Sequence, residues 1–244
     1  MKKGILLLAV IAVFAVPAIS KASTLAYWRF ENDLTDSSGN GNNLSSGSLT
    51  YSGDTHPSAA GNTSASLGWA YTSSYMTPQN DFTVEFYFKT GAFGALAGNL
   101  GNSFGPKGWS VWVNSNGSID ITFARTGISS TLPLTGSYND NEWHHFALTI
   151  SGTNYVTGYV DGVIKGQIQS VYAETLFGTY LGSLPNWTGY VGYLDEVRIS
   201  SGVLDSSEFL INQSEQQTAV PEPVSILLLG TALLGLIRRL GKRN

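Results

Sequence analysis

Asp195 is the carboxylate whose position asks most of its surroundings. Strict alternation along residues 190–199 puts it on one face with Val191, Tyr193, Val197 and Ile199, a row that reads as core-facing. A carboxylate there costs free energy unless a cation or several donors satisfy it. Upstream, residues 36–42 collect carboxylate, amide and carbonyl oxygens, with glycines that let carbonyls turn inward, and calcium prefers such ligands. Plainer readings stand beside this one: Asp195 pairs with Arg29 or accepts backbone N–H groups, and Asp36 shapes a turn. Hydrolysis would need two carboxylates, and a pair drawn from separate strands, such as Glu85 with Asp120, stays open. The histidines offer less. His144 and His145 are adjacent in a strand-like run and face opposite sides, so they cannot share one tetrahedral metal. His56 sits beside Pro57 in a loop. With no cysteine, thiol nucleophiles and zinc–thiolate sites are excluded. Aromatic rings are the remaining tools. Trp69, Tyr71, Tyr75, Trp109, Trp112, Tyr138 and Trp187 include faces that could stack on sugar rings if left outside the core. Trp187, in a loop between Pro185 and Gly189, is the preferred exposed ring. Trp109 is the second candidate; it and Trp112 face opposite sides of one strand.

These side chains would be carried by strands. Residues 82–89 alternate with period two, Phe82, Val84, Phe86 and Phe88 opposing Thr83, Glu85, Tyr87 and Lys89. Residues 117–124 and 143–150 repeat the pattern. Residues 155–160 and 163–168 flank Asp161-Gly162, which favours a two-residue type I′ hairpin turn. Further strands are expected at 25–30, 109–113, 179–181 and 190–200. Strands this numerous, divided by Gly- and Asn-rich turns, predict an all-β sandwich of two antiparallel sheets. One short helix should follow, with Asp205 as its cap and Glu208 three residues on.

Both ends of the chain read as targeting devices. Lys2 and Lys3 precede an unbroken apolar run, residues 5–16. Ser20-Lys21-Ala22 then places small residues for signal peptidase, with the cut between Ala22 and Ser23. At the far end Val220, Pro221, Glu222 and Pro223 precede fourteen uncharged, mostly apolar residues, 224–237, and the basic cluster Arg238, Arg239, Lys242 and Arg243. The prolines delay any helix to about residue 224. Fourteen residues then reach roughly 21 Å, short of a ~30 Å hydrocarbon core, which suits a transient anchor. Between the two ends, residues 23–218 hold six basic residues against sixteen carboxylates, a balance of −10. A surface of that sign repels phosphate backbones, and no nucleic acid is expected as a partner. The chain divides into a signal peptide (1–22), a β-sandwich domain (23–212), a polar linker (213–219) and the C-terminal signal (220–244).

Two resemblances follow from these motifs. The C-terminal order resembles the PEP-CTERM sorting signal, which implies processing by an exosortase after a transient membrane anchorage through helix 224–237. The sandwich resembles the LamG-like, concanavalin A-like jelly rolls. It does so through Tyr27-Trp28-Arg29-Phe30-Glu31 running into residues 36–42, the strand 82–89, Trp143-His144-His145-Phe146-Ala147 with Tyr159-Val160-Asp161-Gly162, and Leu194-Asp195-Glu196-Val197-Arg198-Ile199. That family often holds a calcium between the early loop and the last strand, which here implicates Asp36, Asn40 and Asp195, with Glu31 beside them. Its laminarinase-like enzymes need a Glu-x-Asp-x-(x)-Glu strand. Residues 118–123 hold one carboxylate, Asp120, where three are wanted, so that enzyme class is excluded. The expectation is therefore an exported, non-enzymatic protein of the cell envelope, cell surface or extracellular matrix. It would associate with extracellular polysaccharide or a surface protein; a specific lectin is the alternative, and a hydrolase or lyase the third reading.

Overall fold

The computed structural model describes residues 22–74, 81–100, 108–125, 128–151, 155–169, 178–184 and 189–213. Among them run thirteen strands: β1 (Thr24–Trp28), β2 (Ser45–Ser52), β3 (Ser64–Tyr71), β4 (Asp81–Thr90), β5 (Gly94–Gly98), β6 (Gly108–Val113), β7 (Ile119–Arg125), β8 (Ile128–Leu134), β9 (Trp143–Ser151), β10 (Tyr155–Val160), β11 (Val163–Gln169), β12 (Tyr180–Leu181) and β13 (Gly192–Ser201). Every pairing is antiparallel. The path runs β11-β10-β9-β4-β13-β3-β12-β5-β6-β7-β8, with β1 added to β13 and β2 to β3. It doubles over, so that Phe82 of β4 meets Trp109 of β6 at 6.3 Å, and a Cβ on Gly158 of β10 would press on Ile121 and Leu134. This is the expected all-β antiparallel sandwich, except that its two layers are one continuous hydrogen-bonded sheet, joined through β3 and β12, where two separate sheets were expected.

The alternation of β4 explains the core. Phe82, Val84, Phe86 and Phe88 are all buried between the layers, Phe86 stacking on Phe146 of β9 at 5.0 Å. Each such ring, fully buried, stabilises the fold by roughly 1.5–3 kcal/mol. Glu85, Tyr87 and Lys89 leave by the opposite, outer face. The β10–β11 hairpin turns at Asp161 and Gly162, both left-handed (φ 53° and 73°), as a type I′ turn demands. Asp161 does more than turn the chain: Oδ1 accepts from the His145 N–H at 2.9 Å, and Oδ2 lies 2.9 Å from His144 Nδ1.

One expectation needs correcting. The face shared by residues 191–199 is broken, because β13 carries a bulge: its register against β4 slips between Asp195 and Arg198, and Glu196 sits at φ 49°. An extra residue flips every later side chain to the other face. Val197 and Ile199 enter the core as expected, but Leu194 is the core residue before the bulge. Asp195, opposite Tyr87, and Tyr193, opposite Lys89, belong to the outer face. Four strands were not foreseen, β2, β3, β5 and β8. β2 has only Leu49 and Tyr51 as large apolar residues, and β5 (Gly-Ala-Leu-Ala-Gly) has no period, yet all five of its residues are buried by neighbours.

After β13 comes a 3-10 turn, Ser206–Glu208, and then α1 (Leu210–Gln213), with Glu208 Oε2 accepting from the Asp205 N–H at 3.1 Å. The buried Phe209 docks this segment edge-on to Tyr159 at 5.0 Å. Ser23 donates its N–H to Ser201 Oγ at 3.0 Å, and Ala22, Thr24 and Gln213 border one groove. The fold therefore starts and finishes at the same place. The sorting residues Val220, Pro221, Glu222, Pro223, Arg238 and Arg239 and helix 224–237 lie outside the described residues, as does Trp187. Among the described residues no helix is long and apolar enough to cross a membrane.

Candidate functional site

Three rings form a row on the outer face of β3 and β12. Ala70 and Leu181 face each other inward, so Tyr71 and Tyr180, also directly paired, both point outward. Their rings lie 5.7 Å apart and 21° from parallel. Trp69, two residues before Tyr71, adds its indole 5.7 Å from the Tyr71 ring and is 41% exposed. Its place is set by paired bulges in β2 and β3, where Ser48 lies opposite Trp69 and Leu49 opposite Leu67. A Cβ on Gly47 would fall inside the indole, so Trp69 rests directly on backbone. Ser46 Oγ donates to the Trp69 carbonyl at 2.9 Å, holding the strand below the ring. With Ser183 and Leu184 the row borders an open, mostly apolar groove of about 330 Å3. Flat faces beside a few hydroxyls can stack on a sugar and hydrogen-bond its edges.

Trp109, expected as a sugar-stacking ring, is 2% exposed and packs on Phe82 in the core, so that expectation is corrected. Its strand, β6, belongs to the second layer beside β7, and the alternation of β6 turns Trp109 inward. Trp69 and Tyr71 were among the candidate rings, but Tyr180 was missed. The strand at 179–181 was expected, but two paired residues are too few to set a face; only the pairing with β3 shows where the ring goes.

A second cluster surrounds Asp195. Its side chain is fully buried, Oδ1 accepts from the Glu196 N–H at 2.8 Å, and among the described residues Oδ2 has no partner. Burial, with Glu196 and Glu31 nearby, pushes its pKa up to about 8. Arg29 pairs with Glu196 at 3.5 Å rather than with Asp195, and Tyr27 donates its hydroxyl to the same Glu196. Burial and that carboxylate drive the Tyr27 pKa upward. Phe30 and Asn32, flanking Glu31, are left-handed (φ 56° and 61°), as is Glu196, so backbone strain gathers around these acids. Asp36 and Asn40 are spent elsewhere. The Asp36 carboxylate accepts N–H bonds from Tyr27, Ser38 and Asn42, and the Asn40 amide donates to the Thr24 and Leu25 carbonyls. Of the three expected metal ligands, Asp195 is the one with a buried oxygen that no hydrogen bond among the described residues engages. Among the described residues no group of three or more acidic or histidine side chains is arranged to hold a metal ion, so backbone carbonyls would have to complete a calcium shell.

A third cluster is structural. Glu85 is fully buried on the outer face of β4, where Oε1 accepts from Arg198 Nε at 2.8 Å and also from Nη2. Its Oε2 lies 3.0 Å from His145 Nε2 and accepts from the Leu210 N–H at 2.7 Å. Glu85 so clamps β9, β13 and α1 to β4; breaking such a buried pair costs about 3–5 kcal/mol. Asp120 cannot join it. Ile119 and Ile121 are core residues of the second layer, which puts Asp120 on the opposite outer face of the sandwich. His144 and His145 do part to opposite faces, His144 beside Phe88 and His145 beside Tyr87.

Residues 60–209 match the Laminin_G_3 model of the concanavalin A-like lectin/glucanases superfamily. The chain belongs to this family. Domain 4 of AbnA, a GH43 extracellular arabinanase from Geobacillus stearothermophilus solved with arabinotriose, superposes with a TM-score of 0.58 at 19% identity, covering 79% of this chain and 98% of that one. The binding domain of Paraclostridial Mosquitocidal Protein 1 gives 0.62 at 16% identity, over 78% of this chain and 51% of its own. The botulinum neurotoxin serotype G binding domain gives 0.61 at 16%, over 80% and 51%. The chain thus spans about half the length of those toxin domains. At such identities the likeness is one of fold. No curated protein matches the chain. For this Laminin_G_3 domain, then, the site must be argued from its own side chains, and the exposed row Trp69, Tyr71, Tyr180 is the strongest of the three clusters. The other two are buried.

Proposed function

We propose that this chain is an exported, non-enzymatic protein of the cell surface or extracellular matrix that holds extracellular polysaccharide on Trp69, Tyr71 and Tyr180. The observation that carries the reading is the row itself. Three rings stand outside a sandwich whose core is already filled, on one face, with Trp69 seated on a glycine. Charge supports a neutral ligand, since residues 23–218 balance at −10. The carboxylates that could serve hydrolysis are otherwise engaged or far apart, which favours binding over catalysis. The arabinanase domain solved with arabinotriose gives the fold a sugar-bound example. The decisive experiment is affinity electrophoresis of the purified chain through gels containing neutral polysaccharides. Wild type is retarded by at least one polymer, and Trp69→Ala loses about tenfold in affinity, ~1.4 kcal/mol, with an unchanged melting temperature. Equal retardation of both proteins would remove the row from the site.

Delivery follows the two ends. Signal peptidase cuts between Ala22 and Ser23, and an exosortase processes the chain at Pro221-Glu222-Pro223 while helix 224–237 and the basic cluster hold it in the membrane. In support, β1 begins at Thr24 and the last helical turn closes at Gln213, so both cuts spare every described strand and helix. Mass spectrometry of the exported protein should find Ser23 first and the basic C-terminus gone; a mature chain ending at Asn244 would refute the processing. Asp195, with Glu31 near it, is the group that would hold a structural calcium, which supplies positive charge to a buried acid.

A further inference from the structure

The rings of the outer face do not end at β3. Across β9, β4 and β13, Trp143 lies opposite Lys89 and Lys89 opposite Tyr193, so all three side chains leave the same face. The Trp143 and Tyr193 rings stand 6.4 Å apart, 38° from parallel. Asp54, in the loop after β2, fixes Trp143 and Lys89: Oδ1 accepts from Trp143 Nε1 at 2.7 Å and Oδ2 from Lys89 Nζ at 2.8 Å. Beside Tyr193 opens a groove of about 460 Å3, bordered also by Asn141 and by Ser66 of β3. Ser66 lies three residues before Trp69, and both point away from a core that takes Ala65, Leu67 and Ala70. Leu194 pairs with Ala65, making β13 and β3 bonded neighbours, so the outer surface bearing Tyr193 continues onto the one bearing Ser66. From Ser66 to Tyr71 the strand advances five residues, roughly 16 Å at ~3.3 Å each. The middle of that path is Gly68, which is exposed, and Gly189 packs on its carbonyl, so the floor there is bare backbone.

The geometry points to one extended site, in which a single neutral polysaccharide chain lies along β3 between two aromatic stations, Trp69–Tyr71–Tyr180 and Trp143–Tyr193. The assignment rests on the reading of the Trp69 row as a sugar-binding face. A mono- or disaccharide fills one station only; a repeating ligand covers both, and on one rigid sheet the second contact becomes intramolecular. Neutrality follows from charge. Lys89 is tied to Asp54, and a polyanion would meet a negative surface with no free cation in the strip among the described residues.

The test uses the full chain against mixed-linkage β-glucan, arabinan, mannan and alginate, and then oligosaccharides of increasing length cut from the polymer retained. Affinity should climb at least about tenfold from disaccharide to hexasaccharide. Trp69→Ala and Tyr193→Ala should each weaken polymer binding about tenfold, while Tyr193→Ala flattens the length dependence. Tyr193→Phe, which keeps the ring, should restore binding and so separate lost stacking from a damaged fold. Wild-type polymer binding by Tyr193→Ala beside a loss in Trp69→Ala would leave a single station and overturn the strip alone. Tyr193→Phe binding as weakly as Tyr193→Ala would do the same. Preference for alginate would overturn the neutral ligand. If no polymer retards the wild type, the sugar-binding reading fails, and the strip with it.

Discussion

His56 lies over Tyr87 with ring centroids 4.2 Å apart and planes 13° from parallel, its Nδ1 accepting from the Ser58 N–H at 2.9 Å. Burial, with His145 and His144 adding to it and Asp161 opposing, brings its pKa down to about 4. An unfolded histidine titrates near ~6.5. The folded state therefore prefers the neutral ring. That contribution is complete above about pH 6.5 and is lost as pH falls towards 4. His144 runs the other way. Burial lowers its pKa, but Asp161 and Asp140 outweigh burial and raise it, so its contribution is whole below ~6.5 and fades as pH rises. His56→Phe, which keeps a ring on Tyr87, should melt close to wild type at about pH 7.5 and above it at about pH 4.5. Parallel melting curves for the two proteins across that window would refute the assignment. Nothing in the sequence around His56-Pro57 announces this stack, because Tyr87 is thirty-one residues away.

At the scale of elements, bulges decide what local pattern cannot. β4, β9 and the β10–β11 hairpin were legible because their alternation, and the Asp161-Gly162 turn, are properties of consecutive residues. β13 was legible as a strand but not as a face: one left-handed residue, Glu196, moved Asp195 away from the row of Val197 and Ile199. The same device builds the ring row, where Gly47 and Gly68 are the extra residues that bring Trp69 and Tyr71 out together. Gly47→Val should therefore dislodge the Trp69 indole and leave the sandwich standing, since the ring can swing into solvent. Expected are a red-shifted tryptophan emission and about tenfold weaker polysaccharide binding, with far-UV dichroism unchanged. Wild-type affinity in Gly47→Val would show that the seat is not needed.

For the molecule as a whole, a sandwich without disulfides, exported and holding calcium at Asp195 as proposed, relies on packing, on the Glu85 clamp and on that ion. A ligand at about a hundred times its Kd stabilises the native state by ~2.7 kcal/mol, roughly 5–10 °C for a domain of this size. Calcium should raise the melting temperature of chelator-treated wild type by that order and leave Asp195→Asn unmoved. An equal shift in both would place the ion elsewhere. The family and the sandwich architecture were legible from motifs scattered over the whole domain. The ligand set was not. Asp36 and Asn40 tie their loop to backbone groups of β1, and only the folded chain shows that Asp195 keeps a buried, unused oxygen.

The groove shared by Thr24 and Gln213 has a mechanical consequence. Whichever end is fastened, the body hangs from the same corner, like a tag on a string. A pull between its two ends would load the β1–β13 seam at Thr24 and Ser200 and the Leu210 contact with Glu85 before the rings of β3. Traction on a bound polymer, with only the tail anchored, bypasses that seam and is borne by the interior strands β3, β13 and β4.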